Sequence, residues 1–295
     1  MKLLSLLAAL VTLPGLAQDY PGKPIRMVVG FPPGGGTDVV ARIITPRYSE
    51  LLGQSVVIEN RPGATGTMAA GQVAKSAPDG YTIMMGHVSV NAIAPSLFSN
   101  LSYDVIKDFA PIGIAAAVPH FVTVHPSLRV SSLKELISYL KAKPDLTFPS
   151  AGNGSMPHLA GEIFTNLAGV KMVHVPYKGS APATQDLLSG QIQVQFDPTT
   201  LPHIAAGRLK CFAILGEKRW PGKPDIPTLK EQGLGKIGGD AWYGILAAKG
   251  TPQVAIDKLA NAIGEASQDP ATFGATIERE RASFGEIIKK ADIKV

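Results

Sequence analysis

Residues 25–38 read IRMVVGFPPGGGTD. Ile25 to Val29 form an apolar, partly β-branched run of the kind that makes a buried strand. After Phe31, Pro32 and Pro33 come Gly34, Gly35 and Gly36, followed by Thr37 and Asp38, residue types that open helices. A strand, a glycine-rich turn and a helix start gather several backbone N–H groups at a positive helix end. Such a turn suits a carboxylate as well as a phosphate. Aligned on Gly30, the stretch comes within one residue of the phosphate-cradling pattern G-x-x-x-x-G-K-[ST], with Gly36 where the lysine belongs. The dinucleotide pattern G-x-G-x-x-G fails as well, because Val39 occupies its last glycine position. Anion binding through backbone amides is the expectation, and a plain tight turn is the other reading.

Outward from this loop, short β-branched runs alternate with longer amphipathic ones. SVVIEN, TIMMGH, APIGIAAAV, HFVTVHP, LTFPSAG, KMVHVPY, IQVQFD, LKCFAIL and AWYGILAAK read as further strands. Between them, TDVVARIITPRYSELLG, SSLKELISYLKAKP, PHLAGEIFTNLAG and APATQDLLSG carry helical spacing, three of them ending on glycine. Ser132 and Glu135 have capping-box spacing. Pro46 interrupts the first helix and predicts a kink there. Apolar strands alternating with helices imply an α/β fold with parallel or mixed sheets covered on both faces. The strands are too many for one sheet, and the chain has seams at Pro119 and in the Gly/Pro-rich stretch 221–240. Two α/β domains with a cleft between them follow, and interdomain clefts are favoured pockets.

A second small-residue loop has the same design. In PSAGNGSMPHLAGE (149–162), the strand LTF leads into Ser150, Gly152, Gly154 and Ser155 before a helix. Two such loops, one per domain, are expected to face each other across the cleft. Ser155 lacks the G-x-S-x-G elbow of a hydrolase nucleophile. His158 is expected to cap or orient this loop. His158 and Glu162 lie four apart, but H-E-x-x-H is absent and no cluster joins them, so neither a metal nor another cofactor is expected. His87 follows a strand and either lines the cleft or is buried and hydrogen-bonded. His120, His125, His174 and His203 read as structural. Tyr177, Lys178 and Gly179 precede another helix, where Lys178 adds a cation to the cleft or lies solvated. Asp197 either accepts from a ligand or another domain, or caps the segment after Pro198.

The composition excludes other classes. The chain has 295 residues, 45% of them hydrophobic, with a net charge of +5 spread thinly. No lysine- or arginine-rich segment interleaves with aromatics, so nucleic acid is not an expected partner. MKLLSLLAALVTLPGLAQDY has the anatomy of a secretory signal peptide, residues 1–17, with Gly15 and Ala17 before a cleavage site at Gln18. The single cysteine, Cys211, rules out an internal disulfide and sits in an apolar strand context, where a buried small hydrophobe is expected.

YPGKPIRMVVGFPPGGGTDVVAR, GQSVVIENRPGATG, APDGYTIMMG, YDVIKDFAPIG, HLAGEIF, VHVPYKGSAPATQDLLSGQIQVQFD, PHIAAGRLK and GTPQ resemble the Bug or TctC-type receptors of tripartite tricarboxylate transporters, in order, from about Tyr20 to Asp269. The resemblance implies a two-domain periplasmic-binding-protein fold, type II-like, also called a Venus flytrap. Its first domain would comprise 20–118 and 240–295, and its second 119–239. It implies an exported monomer that delivers a small carboxylate to membrane transporter subunits. The pocket loops it implies carry Phe31, Pro32, Gly34, Gly35, Gly36, Thr37, Asp38, Thr65, His87, Ser89, Ser150, Gly152, Gly154, Ser155, His158, Tyr177, Lys178 and Asp197. Ligand carboxylates are typically held there by amides, hydroxyls and water. One departure is the region after Asp269-Pro270, which moves directly into a final helix with Phe284 where the family has a tryptophan. The same closed form would also serve a sensor. An exported hydrolase using Ser155 and His158 would lack an acid to orient the imidazole.

Overall fold

The computed structural model describes residues 20–235, 240–264, 270–290 and 293. The expected signal peptide lies outside the described residues. Each strand read from the sequence forms: β1 (Ile25–Val29), β2 (Val56–Asn60), β3 (Thr82–His87), β4 (Phe109–Val118), β5 (Phe121–Val124), β6 (Thr147–Ser150), β7 (Val173–Pro176), β8 (Val194–Gln195), β9 (Lys210–Ile214) and β10 (Ala241–Ala248). The helices are α1 (Gly36–Leu52), α2 (Thr67–Ala74), α3 (Ala94–Leu97), α4 (Leu133–Ala142), α5 (Met156–Ala168), α6 (Ser180–Ser189), α7 (Leu201–Ala205), α8 (Gln253–Ile263) and α9 (Pro270–Lys290). Among the described residues, no helix is long and apolar enough to cross a membrane.

The first sheet is mixed, in the order β2-β1-β3-β10-β4. β1 runs parallel to β2 and β3, while β10 is antiparallel to both β3 and β4. The chain leaves this sheet after β4 and returns to it only at β10. The intervening strands form an antiparallel trio, β8-β5-β9, and a parallel pair, β6-β7, with β6 alongside β8. This is the two-domain α/β architecture of periplasmic binding proteins.

Period-two alternation explains why β1 is apolar at nearly every position. Ile25, Met27 and Val29 face one layer with Tyr48 of α1 and Leu259 of α8. Val28 and Met84 face the other layer, with Val73 of α2 and Phe273 and Phe284 of α9. That second core continues into the other half through Val122, Leu136, Phe148, Phe164 and Phe196. Phe284, at the family's tryptophan-like position, is buried here.

Local signals hold with two adjustments. α1 runs through Pro46 to Leu52 and stops at Gly53. Ser132 Oγ caps α4 by accepting from Glu135 N–H at 3.2 Å, but the Glu135 carboxylate reaches back to Ser131, accepting from its N–H at 2.9 Å and its hydroxyl at 2.8 Å. The capping box is thus shared between two serines. Cys211 is half-buried instead of buried, and burial still pushes its thiol up to about 12, so it stays protonated.

Candidate functional site

The turn after β1 and the turn after β6 meet between the two sheets. Gly34 holds left-handed backbone, φ 81°, which lets its N–H turn back to donate to Asp38 Oδ2 at 2.9 Å. Asp38 also accepts from Arg42 Nε at 2.8 Å and from Asn60 Nδ2 at 2.9 Å. Burial alone would raise this carboxyl; the Arg42, Gly34 and Asn60 bonds outweigh it and hold it low. Asp38 therefore fastens the loop to its helix and to β2. Gly36 is required for a different reason: a Cβ there would lie 2.6 Å from the Tyr243 hydroxyl.

On the opposite wall, Ser150 Oγ accepts from Gly152 N–H at 3.1 Å and pairs with His174 Nε2 at 2.7 Å. Ser155 Oγ donates to Gly152 O at 2.7 Å. His158 Nδ1 accepts from Gly154 N–H at 3.2 Å, and its ring stacks on His174 with centroids 3.9 Å apart. Burial lowers both imidazoles to about 4, His158 adding a smaller push on His174. These serines and histidines form the internal scaffold of the loop. Ser155 and His158 bond to backbone groups instead of each other, so no nucleophile–base pair exists between them.

Between the walls lie two connected chambers that share Phe31 and Ala151. The inner one, about 20 Å³, is lined by Gly36, Thr37, His87, His120, Asp197 and Tyr243, among others. Pro157 and Ser180 also reach it, so the first turns of α1, α5 and α6 converge on one space. Each helix start contributes roughly half a positive charge and unpaired N–H groups. Among the described residues, neither lysine nor arginine lines the inner chamber. Asp197, 2% exposed, accepts from Ser180 Oγ at 2.6 Å and from Thr199 N–H at 2.8 Å and Oγ1 at 2.6 Å. Burial raises its pKa, and those donors offset part of the rise. His87 stands between Phe31 and Tyr243, with ring centroids 5.7 and 5.0 Å away, and burial lowers it to about 3.

The outer chamber, about 420 Å³, is lined by Pro32, Thr65, Gly152, Tyr177 and Lys178, among others. Among the described residues, Lys178 is the one cation on either lining, and it is itself exposed. Among the described residues, two hydrogen bonds cross the cleft. Thr65 Oγ1 donates to Asn153 O at 2.7 Å, and Ser89 Oγ accepts from Met156 N–H at 2.9 Å. Ala64 and Thr65 hold left-handed backbone, φ 43° and 54°, strain that persists only where surroundings fix it. The inner chamber has room for about one water molecule, and the two bonds across the cleft hold its walls together.

The structure thus brings Phe31, Gly35, Gly36, Thr37, His87, Ser89 and Asp197 to the inner chamber. Phe31 also lines the outer one, with Pro32, Thr65, Gly152, Tyr177 and Lys178. Gly34, Asp38, Ser150, Gly154, Ser155 and His158 stand behind these linings. The sequence reading missed His120, Ser180 and Tyr243. Their signal lay in topology: His120 follows the seam at Pro119, and Tyr243 lies just past the returning crossover. No group of histidine, cysteine and acidic side chains suited to a metal occurs among the described residues.

A cleft closed between two α/β layers and walled by helix starts marks the periplasmic solute-binding class. A model of the tripartite tricarboxylate transporter family receptor, TctC, matches residues 40–280. The chain is 38% identical over 269 residues to protein BugT of Bordetella pertussis, covering 90% of this chain and 82% of BugT. It superposes on R. palustris Rpa4515 with adipate at a TM-score of 0.89, with 34% identity, covering 94% of this chain and 99% of that one. MatC from Rhodopseudomonas palustris with bound malate gives a TM-score of 0.84 and 31% identity, covering 91% and 100%. The chain belongs to the tripartite tricarboxylate transporter receptor family, whose members are periplasmic binding proteins.

Proposed function

We propose that this chain is an exported periplasmic receptor that captures a small carboxylate in the cleft and delivers it to membrane subunits of a tripartite transporter. The observation that carries the reading is the convergence of three helix starts on a chamber that, among the described residues, no lysine or arginine lines. Backbone N–H groups and dipoles stabilise an anion there without the desolvation of a fixed cation. The binding residues would be those of the two linings. The residues behind them, Asp38, Ser150 and His158 among them, would hold the loops in place.

Capture requires motion. A carboxylate enters only when the walls part, so the Thr65–Asn153 and Ser89–Met156 bonds must break and re-form over the ligand. The hinge would lie at the two crossovers, dividing 20–118 with 240–295 from 119–239. Sheet membership supports that division, because β1–β4 and β10 lie on one side and β5–β9 on the other. A ligand that binds only the closed form shifts the population toward it, and the transporter would read that form.

A thermal-shift series with mono- and dicarboxylates, acidic amino acids and aromatic acids tests the reading. A bound acid raises the melting temperature with the logarithm of its concentration, corresponding to about 2.7 kcal/mol at a hundred times Kd. Flat melting curves across the series, from folded protein, would sink it.

A further inference from the structure

His120 lies where the chain passes from the first sheet to the second, between Pro119 and β5, with 2% of its surface exposed. It closes the inner chamber, and its Nδ1 has no hydrogen-bond partner. Buried polar atoms are nearly always paired, because leaving one unmade is costly. Among the described residues, Asn91, His120 and Gln195 carry such orphaned atoms, and of these only His120 lines a chamber.

Two of the neighbouring polar groups are already engaged. Asp197 takes its donors from Ser180 and Thr199, and Ser89 Oγ takes the Met156 N–H. His87 Nδ1 accepts from Ser89 N–H at 3.2 Å, which places the His87 proton on Nε2. Burial lowers His120 to about 3, with a smaller contribution from His87, so both rings are neutral near pH 7. A neutral imidazole offers an N–H donor without a charge to desolvate. The starts of α1, α5 and α6 face the same space, which favours an anionic acceptor.

We propose that His120 is a ligand-recognising residue of this cleft, donating a ring N–H to the one carboxylate oxygen that reaches the inner chamber. The inference rests on the function proposed above and adds an orientation to it. The ligand enters carboxylate first, and its remainder lies in the outer chamber against Pro32, Pro62 and Tyr177, with Lys178 at the rim. The donors select an acid over its carboxamide, whose NH₂ would face them.

Two variants and one spectrum test this. His120→Phe keeps the ring volume and removes both nitrogens; His120→Asn keeps an amide donor. Adipate, malate, glutamate and benzoate are titrated calorimetrically into the wild type and each variant. The tightest acid is expected to weaken at least about tenfold in H120F and to recover within about threefold of wild type in H120N. Its carboxamide is expected not to bind. Should H120F fail to melt cooperatively, ¹⁵N spectra of histidine-labelled wild type give the answer: a His120 ring-nitrogen resonance shifts on ligand binding. Equal affinity in wild type and H120F, or an unmoved resonance, overturns the role of His120 alone. Failure of every acid to bind the wild type overturns the functional reading beneath it.

Discussion

Gly36→Ala is the most informative single substitution in the opening loop. Position 36 begins α1, so alanine suits its backbone and would return up to about 1 kcal/mol of helix propensity. The obstacle is contact. The new Cβ would lie 2.6 Å from the Tyr243 hydroxyl, and the next atoms, Tyr243 Cζ and Thr199 Cγ2, at 3.5 and 3.8 Å, are ordinary neighbours. Tyr243 sits in the centre of the first sheet, 3% exposed and packed on His87, and has no room to retreat. Overpacking of this kind costs about 1–3 kcal/mol. The net loss is about 0–2 kcal/mol, a fall of up to roughly 8 °C in melting temperature at this chain length. Carboxylate affinity falls with it, because the methyl enters the inner chamber. Calorimetric melting of G36A, Y243F and the double variant isolates the cause, since Tyr243→Phe deletes only the clashing oxygen. The double variant is expected to recover about 1 kcal/mol or more relative to additivity. Gly35→Ala, whose Cβ meets only Pro32 O at 3.5 Å, serves as the tolerated control. Equal destabilisation by Gly36→Ala with and without the Tyr243 hydroxyl would refute the steric argument.

Acid should unfold the protein early. His87 and His120 are held to about 3 and His158 and His174 to about 4 by burial, against about 6.5 in an unfolded chain. Depressed histidines leave stability complete above about pH 6.5 and remove it as pH falls toward their folded values, at up to about 1.4 kcal/mol per pH unit for each proton taken up only on unfolding. The exposure of His174 weakens its share, and a melting temperature unchanged between pH 6.5 and 5 would contradict the account. Ser89→Ala leaves the Met156 N–H at the start of α5 without its partner, so ligand affinity should fall about fivefold while m-values in urea stay constant; unchanged affinity would remove this bond from the closing contacts. His174→Ala should loosen the 150–158 loop through Ser150, seen as faster amide exchange at Gly152 and Gly154 with the first sheet unaffected. Uniform exchange across both halves would argue against a local scaffold.

The fold was legible because the strands are dense in β-branched and apolar residues and the helices end on glycine. IRMVV announced a strand covered on both faces, and the structure splits it between two cores. The cleft loops were legible for the same reason: glycines and small hydroxyl residues after a strand leave backbone donors free. Less legible was the division of labour inside each loop. Asp38 and Ser150 have the chemistry of ligand contacts, yet each spends its hydrogen bonds bracing its loop, Asp38 also to α1 and β2 and Ser150 also to β7. Nothing local distinguishes a carboxylate that braces a turn from one that meets a ligand. Tyr243 was hidden in an apolar run, AWYGILAAK, whose period shows burial but not which layer a hydroxyl reaches. His120 required knowing that the seam after Pro119 passes under the cleft.

Calorimetric titration of one tightly bound acid and of its carboxamide, in the wild type and in Lys178→Met, tests the central claim most directly. Recognition by helix starts and neutral donors predicts one acid per chain, no binding of the carboxamide, and affinity in K178M within about fivefold of wild type, since an exposed cation contributes about 0–1 kcal/mol. An acid that binds no better than its carboxamide, or binding abolished by loss of Lys178, would contradict it.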